Sequence, residues 1–231
     1  MNACWIDIAT ARGETFSGYL SLPPTGRGPG IVLIQEIWGV NEHIRALADQ
    51  YALDGYVVLA PDLFWRLAPR VELAYDEAGS ARAVELYRAV DTAQAAEDVA
   101  SAVATLRGRP EVTGPVGTLG YCLGGQMAFR AAALAQADAA VCYYGGGIAD
   151  HLDLAPRVTM PVLLHHAGDD SLITPEAVAR IKAAFAGRGN AMFADYPGVG
   201  HGFNCWGRPN YNQKAAALAH GRTLEFLARH L

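Results

Sequence analysis

Residues 120–125, Gly-Tyr-Cys-Leu-Gly-Gly, place a cysteine at a sharp turn between an apolar segment and an alanine-rich segment. The apolar segment before the cysteine favours a buried strand, and the segment after it favours a helix. Glycines at 120, 124 and 125 suit a strained turn that neighbouring backbone must approach closely. The helix N-terminus offers free N–H groups to an anion that forms beside the sulfur. The motif therefore indicates nucleophilic chemistry at Cys122 on a strand-turn-helix scaffold.

The rest of the chain alternates apolar runs with helical patterns, which is typical of a parallel sheet covered by helices. Strands are predicted at 3–9, 14–21, 31–34, 57–60, 116–121, 139–144, 161–165 and 191–196. Helices are predicted at 41–53, 76–106 (two helices meeting near Asp91), 124–135, 175–185 and 211–230. The segment 23–30 is rich in Pro and Gly and is predicted to be a turn. The fold class is therefore α/β, a mostly parallel twisted sheet with helices on both faces.

Composition limits the classes of function that this chain can have. A chain of 231 residues with 52% hydrophobic residues can bury a large core, so we expect one domain spanning 1–231. The net charge is −5 and the basic residues are scattered, which argues against nucleic-acid binding. Neither a secretory signal nor a membrane span is present in the sequence pattern. We expect a cytoplasmic monomer or small homo-oligomer that acts on a small molecule.

The cysteine and histidine spacings do not suggest a metal site. The four cysteines, at positions 4, 122, 142 and 205, form no Cys-x-x-Cys pair, so reduced thiols are expected. The adjacent pair His165-His166 lies in a predicted strand, where neighbouring side chains point to opposite faces. We therefore expect no metal and no cofactor.

Polar residues follow four of the apolar runs, where an α/β sheet binds its ligands. Cys122 follows one run, the pair Asp169-Asp170 follows another, and His201 follows the last. These residues occur in the chain order nucleophile, acid, base that is expected of a hydrolase triad. Either aspartate satisfies this pattern. Glu36 follows the first run and, from the residues alone, is better explained as a loop cap or a partner for a surface cation than as a catalytic residue.

The triad assigns a distinct role to each residue. Cys122 attacks an acyl carbon, His201 exchanges the proton and later activates water, and the aspartate orients the imidazole. Backbone N–H groups must receive the oxyanion, and we expect Leu123 and Ile37 to donate them. Each such donor contributes on the order of 3 kcal/mol in the transition state.

At this point the chain resembles the dienelactone hydrolase family, the carboxymethylenebutenolidases, over nearly all of its length. The matching motifs are Gln-Glu-Ile-Trp-Gly-Val-Asn at 35–41, Pro-Asp-Leu at 61–63, the cysteine turn at 120–125, Tyr-Tyr-Gly at 143–145 and Gly-His-Gly-Phe at 200–203. The resemblance implies an α/β-hydrolase fold and hydrolysis of an enol-lactone or similar ester without a cofactor. It also implies that Glu36 lies beside the cysteine and helps control its ionisation. The family pattern Asp-x-x-[Val/Ile] fits Asp170 and not Asp169.

The chain departs from that family where relatives carry two arginines that hold a substrate carboxylate. These two positions are Ser80 and Cys205, and neither side chain supplies the donor fork of a guanidinium. Arg82 and Arg208 lie nearby in sequence and are the candidate replacements. The sequence therefore favours an apolar or aromatic pocket over a two-arginine clamp.

Aromatic residues supply the remaining predicted substrate contacts. Trp38, Tyr87, Tyr144 and Phe203 are the candidates, with Trp206 as a further aromatic residue near the histidine.

Two other functions are compatible with the sequence. A redox or electrophile sensor would use Cys122 with Cys142 or Cys205 as its resolving partner, which requires the two sulfurs to come within reach. A binding protein could keep the fold without turnover, since fold does not imply function. The complete set of triad residues favours an enzyme.

Overall fold

A single sheet forms the centre of the computed structural model, which describes residues 2–134 and 137–231. Within these residues the strands are β1 (Asn2–Ala9), β2 (Thr15–Leu22), β3 (Gly28–Ile34), β4 (Val57–Pro61), β5 (Val112–Tyr121), β6 (Ala140–Tyr143), β7 (Val162–Ala167) and β8 (Ala191–Tyr196). Their order across the sheet is β1-β2-β4-β3-β5-β6-β7-β8. β2 is antiparallel to both of its neighbours, and the pairs from β4 to β8 are parallel. The predicted mostly parallel sheet is confirmed.

Helices cover both faces of this sheet. They are α1 (Glu42–Leu53), α2 (Glu77–Ala89), α3 (Thr92–Arg107), α4 (Leu123–Leu134), α5 (Pro175–Ala184) and α6 (Gln213–His230), with short 3-10 turns at Ile148–Asp150 and Leu152–Arg157. Alternate residues of β3 enter two separate cores: Val32 packs with α3 and α4, whereas Ile31 packs with α1 and α6. This alternation is the expected consequence of a strand buried on both faces. In the described residues, none of these helices combines the length and apolar character needed to cross a membrane.

Some element boundaries differ from the sequence predictions. β3 begins at Gly28, inside the predicted turn, because the Gly28 N–H donates to the Glu111 carbonyl at 3.0 Å. β5 likewise begins at Val112, before the predicted start at 116, because its first residues are not part of the apolar run on which the prediction was based. The predicted pair of helices is confirmed, with Asp91 capping the second through bonds from two backbone N–H groups. The last residue of the predicted helix 124–135 lies outside the described residues.

The strand register gathers the candidate residues at one edge. Ile34 of β3 pairs with Gly120 of β5, and Tyr121 of β5 pairs with Tyr143 of β6. Because these strands are parallel, the loops that follow them leave the sheet at the same edge. The polar residues predicted after each apolar run are therefore brought close together.

Candidate active site

Cys122 occupies the turn between β5 and α4 with a backbone φ of +56°, in the left-handed region. The glycines near Cys122 leave no room for a side chain. A Cβ at Gly120 would lie 2.0 Å from the Gly124 carbonyl oxygen, and one at Gly124 would lie 2.2 Å from the Ile34 oxygen. The Cys122 N–H donates to the Tyr143 carbonyl at 3.0 Å. The glycines thus allow α4 to start directly against β3 and β5, which holds the cysteine in this conformation.

His201 is held in place by Asp170. The imidazole Nδ1 lies 2.8 Å from Oδ2 of Asp170, and both side chains are buried. The other oxygen, Oδ1, accepts from the N–H groups of Leu172 at 2.8 Å and Ile173 at 3.1 Å. These bonds fix the carboxylate on the side of the histidine, whereas the neighbouring Asp169 is exposed. The geometry therefore selects Asp170 as the partner of His201.

The second ring nitrogen of His201 faces the cysteine. Nε2 is buried and has no standard hydrogen bond among the described residues. Burial opposes a charge on the ring, but the interactions with Asp170 and Cys122 outweigh it and raise the pKa of His201 to about 10. The backbone of this loop is tied down by Asn210, whose Nδ2 donates to the His201 carbonyl at 3.1 Å. The arrangement suits proton exchange between the thiol and the imidazole.

The two predicted oxyanion donors follow the paired residues of β3 and β5. Leu123 is the first residue of α4, so its N–H has no acceptor within the helix. Ile37 lies three residues beyond Ile34, just as Leu123 lies three residues beyond Gly120, and Ile34 pairs with Gly120. The register therefore places the start of both segments at the same sheet edge as the Cys122 turn.

Glu36 is almost fully buried, with 1% of its surface exposed. Its Oε1 accepts from a guanidinium N–H of Arg208 at 3.1 Å, while Oε2 has no partner among the described residues. Burial opposes the charge of Arg208, but the charges of Glu36 and Cys122 raise its pKa. Arg208 also lies over the ring of Trp38, at 4.9 Å from its centroid. Arg208, three positions beyond Cys205, thus brings a guanidinium to Glu36.

Tyr144 and Phe203 pack around His201. The Tyr144 ring lies 5.0 Å from the ring of His201 and 5.3 Å from that of Phe203. Phe203 in turn contacts Tyr196 at 4.9 Å and is fully buried, so it supports Tyr144 from behind. The Tyr144 hydroxyl has no hydrogen-bond partner in the described part of the chain, and burial raises its pKa, with Glu36 adding to the effect.

Arg82 and Tyr87 do not join this group. The face that α2 buries consists of Gly79, Ala83 and Leu86, so both side chains project outward. The Arg82 guanidinium pairs with Glu85 at 2.8 Å, and Tyr87 is 44% exposed. The two residues were chosen because they lie near the family position in sequence. On a helix, however, the 3.6-residue period decides the face, and it places both on the side away from the sheet.

Sequence reasoning missed two ring residues of the site, His43 and Tyr75. His43 is 2% exposed, and its ring lies 4.0 Å from that of Trp206 and 6.3 Å from that of Tyr75. Tyr75 packs against Trp38 at 4.9 Å. The signal for His43 was present, because it continues the apolar face of α1 formed by Leu47 and Tyr51 at spacings of four.

The cysteines are all free thiols and all lie in the described residues. Cys142 is buried in the core, where desolvation raises its pKa to about 12. Cys205 is also buried and approaches Glu36 and His43, with an oxygen, a nitrogen and a sulfur atom all within 4.8 Å of one another. The sequence analysis expected no metal site because it judged only ligands that are close in sequence. These three residues come from separate segments of the chain.

Comparisons with known proteins identify the family of this chain. A sequence model described as "Dienelactone hydrolase family" matches residues 16–231. Carboxymethylenebutenolidase 1 of Cupriavidus pinatubonensis is 36% identical over 96% of this chain and 95% of its own. The carboxymethylenebutenolidase of a Pseudomonas species is 36% identical over 97% and 94%. A Klebsiella pneumoniae crystal structure, described as a dienelactone hydrolase candidate, aligns with a TM-score of 0.85, 26% identity and 99% coverage of both chains. The chain therefore belongs to the dienelactone hydrolase family of ester and lactone hydrolases, with the α/β-hydrolase fold.

Proposed function

We propose that this protein hydrolyses an enol-lactone or small carboxylic ester through a Cys122-His201-Asp170 triad, without a cofactor. The observation that carries the proposal is the histidine bound to Asp170 through Nδ1, with a buried Nε2 that faces the cysteine and has no standard hydrogen bond among the described residues. This is the arrangement of a nucleophile, a base and an orienting acid.

The reaction proceeds in two steps, acylation of Cys122 and hydrolysis of the resulting thioester. The thiolate of Cys122 attacks the acyl carbon, and the carbonyl electrons move to the oxygen, which the N–H groups of Leu123 and Ile37 receive. Collapse breaks the bond to the leaving oxygen, which takes the proton from His201, and a thioacyl-enzyme remains. Water then attacks this thioester and gives its proton to His201. The second collapse releases the carboxylic acid and restores the thiolate.

The matched test compares two cysteine variants. We expect Cys122→Ala to reduce hydrolysis of an activated ester by at least about a thousandfold, because no other residue would form the acyl-enzyme. Cys4→Ser removes an exposed thiol from β1 and serves as the control, with activity near that of the wild type. Mass spectrometry of acid-quenched wild-type reactions should show the acyl group on the peptide containing Cys122. Full activity of Cys122→Ala would refute the triad.

The substrate is proposed to carry a carboxylate near the acyl carbon. Arg208 is a half-buried cation that pairs with Glu36 and lies within electrostatic range of Cys122. A substrate carboxylate can share this guanidinium and weaken its hold on Glu36, whose role is to restrain the cysteine in the resting enzyme. The clamp would contain one arginine, because Arg82 is paired on the surface.

This assignment is tested with a dienelactone that bears a free carboxylate and with its methyl ester. Charged hydrogen bonds contribute about 1.5–3 kcal/mol, so Arg208→Gln should lower kcat/KM for the carboxylate about 10- to 100-fold more than for the ester. The ratio of the two kcat/KM values is the informative quantity, because any loss caused by leaving Glu36 unpaired affects both substrates equally. Arg82→Gln is the matched control and should leave the ratio unchanged. An equal loss on both substrates with Arg208→Gln would assign a structural role to this arginine.

A further inference from the structure

Three potential metal ligands of different chemistry meet beside the active site. Glu36 follows β3, His43 lies in the first turn of α1, and Cys205 lies in the loop between β8 and α6. Their ligating atoms all lie within 4.8 Å of one another. All three side chains are buried, with exposed fractions of 1%, 2% and 0%. A thiol, an imidazole and a carboxylate thus share a dry site that the proposed triad does not use.

The bonding of His43 is the second observation. Both ring nitrogens are buried and lack hydrogen-bond partners among the described residues, as does Oε2 of Glu36. Buried polar atoms are nearly always bonded, and each one left unsatisfied costs about 1–3 kcal/mol. The ring contacts of His43 with Trp206 and Tyr75 do not satisfy a nitrogen lone pair. A neutral imidazole with an open lone pair is the metal-binding form.

The donor set identifies the class of ion. Thiolate and imidazole ligands favour Zn²⁺ and related transition metals, whereas Mg²⁺ and Ca²⁺ require oxygen ligands. Zn²⁺ bonds of about 2.0–2.3 Å imply tetrahedral ligand separations of roughly 3.3–3.8 Å. Ligand atoms that now lie up to 4.8 Å apart would therefore approach one another by at most about 1.5 Å, which side-chain rotation can supply. Three protein ligands with one open position is a common zinc coordination.

We propose that Glu36, His43 and Cys205 form a Zn²⁺ site beneath Trp206, next to the catalytic cysteine and distinct from it. Binding forms a zinc–sulfur bond and releases the Cys205 proton to solvent. The thiolate and Glu36 together balance the two charges of the ion, so the site becomes neutral. Arg208 opposes an added cation, but it occupies Oε1 of Glu36 and leaves Oε2 available.

Metal-free protein is the starting material for the test. After chelator treatment, Zn²⁺ binding is measured by calorimetry and Co²⁺ binding by absorption, since a cobalt–thiolate bond produces a near-ultraviolet charge-transfer band. We expect saturable binding of about one ion per chain. Neither readout needs turnover, so the outcome is independent of the proposed hydrolase function.

Variants locate the ion. Cys205→Ser should abolish the charge-transfer band, and His43→Ala should weaken Zn²⁺ binding by at least about tenfold, since even outer-shell residues contribute 10- to 100-fold. Cys122→Ser is the matched control and should keep both the band and the affinity. Circular dichroism verifies that each variant is folded. Loss of the band in Cys122→Ser would place the metal on the triad, and either this result or an absence of saturable binding would overturn the proposal.

Discussion

Cys122 combines a left-handed backbone with a buried proton partner. Its φ of +56° is unfavourable for a residue with a side chain, and such backbone strain costs of order 1–3 kcal/mol. The surrounding backbone maintains this conformation, because Gly120, Gly124 and Gly125 allow contacts that any Cβ would prevent. The thiol is consequently held next to His201, whose pKa its charge raises.

The coupling between these two residues can be measured in the imidazole itself. Cys122→Ser removes the cysteine's contribution, so the pKa of His201 should fall below its wild-type value of about 10. NMR titration of the ring resonances reads this directly. His165 is an internal reference: burial is the main cause that lowers its pKa to about 3, and it bonds to Tyr196 and Thr223 away from the triad. An unchanged His201 titration would show that the two side chains are not coupled.

Glu36 and Arg208 show how two residues far apart in sequence can form one ion pair. They are 172 positions apart and meet only because the loop after β8 folds back over the sheet edge. A Cβ at Gly202 would lie 2.2 Å from the Arg208 guanidinium, so the glycine beside His201 makes room for it. In the sequence, Arg82 and Arg208 were equally good candidates because each lies near a family arginine position. In the fold, Arg208 contacts Glu36, whereas Arg82 pairs with Glu85 on the surface.

At the scale of elements, α4 determines where the proposed nucleophile and one proposed oxyanion donor lie. The helix starts at Leu123, immediately after Cys122, and its first turn packs against the end of β3. A side chain at Gly124 would meet the Ile34 carbonyl oxygen at 2.2 Å and the Gln35 oxygen at 2.7 Å. Backbone atoms cannot move aside easily, so the helix would have to shift.

Two glycine substitutions in helices should therefore have opposite effects. Gly124→Ala should lower the free energy of unfolding by about 1–3 kcal/mol through overpacking, and lower activity with it. Among the described residues, a Cβ at Gly221 in α6 would have no atom within 4 Å apart from its own helix, so Gly221→Ala should raise the free energy of unfolding by about 0.5–1 kcal/mol. Urea unfolding of the two variants and the wild type measures both. A stabilised Gly124→Ala would contradict the close helix–strand contact.

The architecture was largely predictable from the sequence, because periodicity and turn residues are local signals. The run 31–34 indicated a strand buried on both faces, and the structure divides its residues between two cores. Boundaries were less accurate: β3 gains Gly28 through a bond to Glu111, a contact that no local pattern reveals. The buried face of α2 was also missed, because Arg82 and Tyr87 were chosen by position in sequence and not by helical face.

For the whole molecule, the buried His201-Asp170 pair links stability to pH. A histidine whose pKa is raised on folding binds more protons in the folded state, so its contribution is present below the unfolded pKa of about 6.5 and is lost as pH rises. With a folded pKa of about 10, the loss extends from about pH 6.5 to about pH 10. The shift corresponds to at most about 5 kcal/mol.

We expect the stability advantage of the wild type over His201→Gln to shrink across this interval. The measurement is urea unfolding of both proteins at pH 6.5, 8 and 10, which spans the interval from about 6.5 to about 10. The difference between their free energies of unfolding isolates His201, because groups that titrate in both proteins contribute equally to each. An advantage that grows with pH would mean that His201 is neutral in the folded protein.

The sequence by itself determined the fold class, the cysteine turn and the order of the candidate triad residues. These features depend on hydrophobic period, on glycines at a tight turn and on polar residues after apolar runs, all of which are short-range. The tertiary structure alone decided that Asp170 contacts His201, that Arg208 reaches Glu36, and that Glu36, His43 and Cys205 meet in one buried site. Such contacts depend on the paths of loops joining distant strands, and no local pattern encodes where those loops cross.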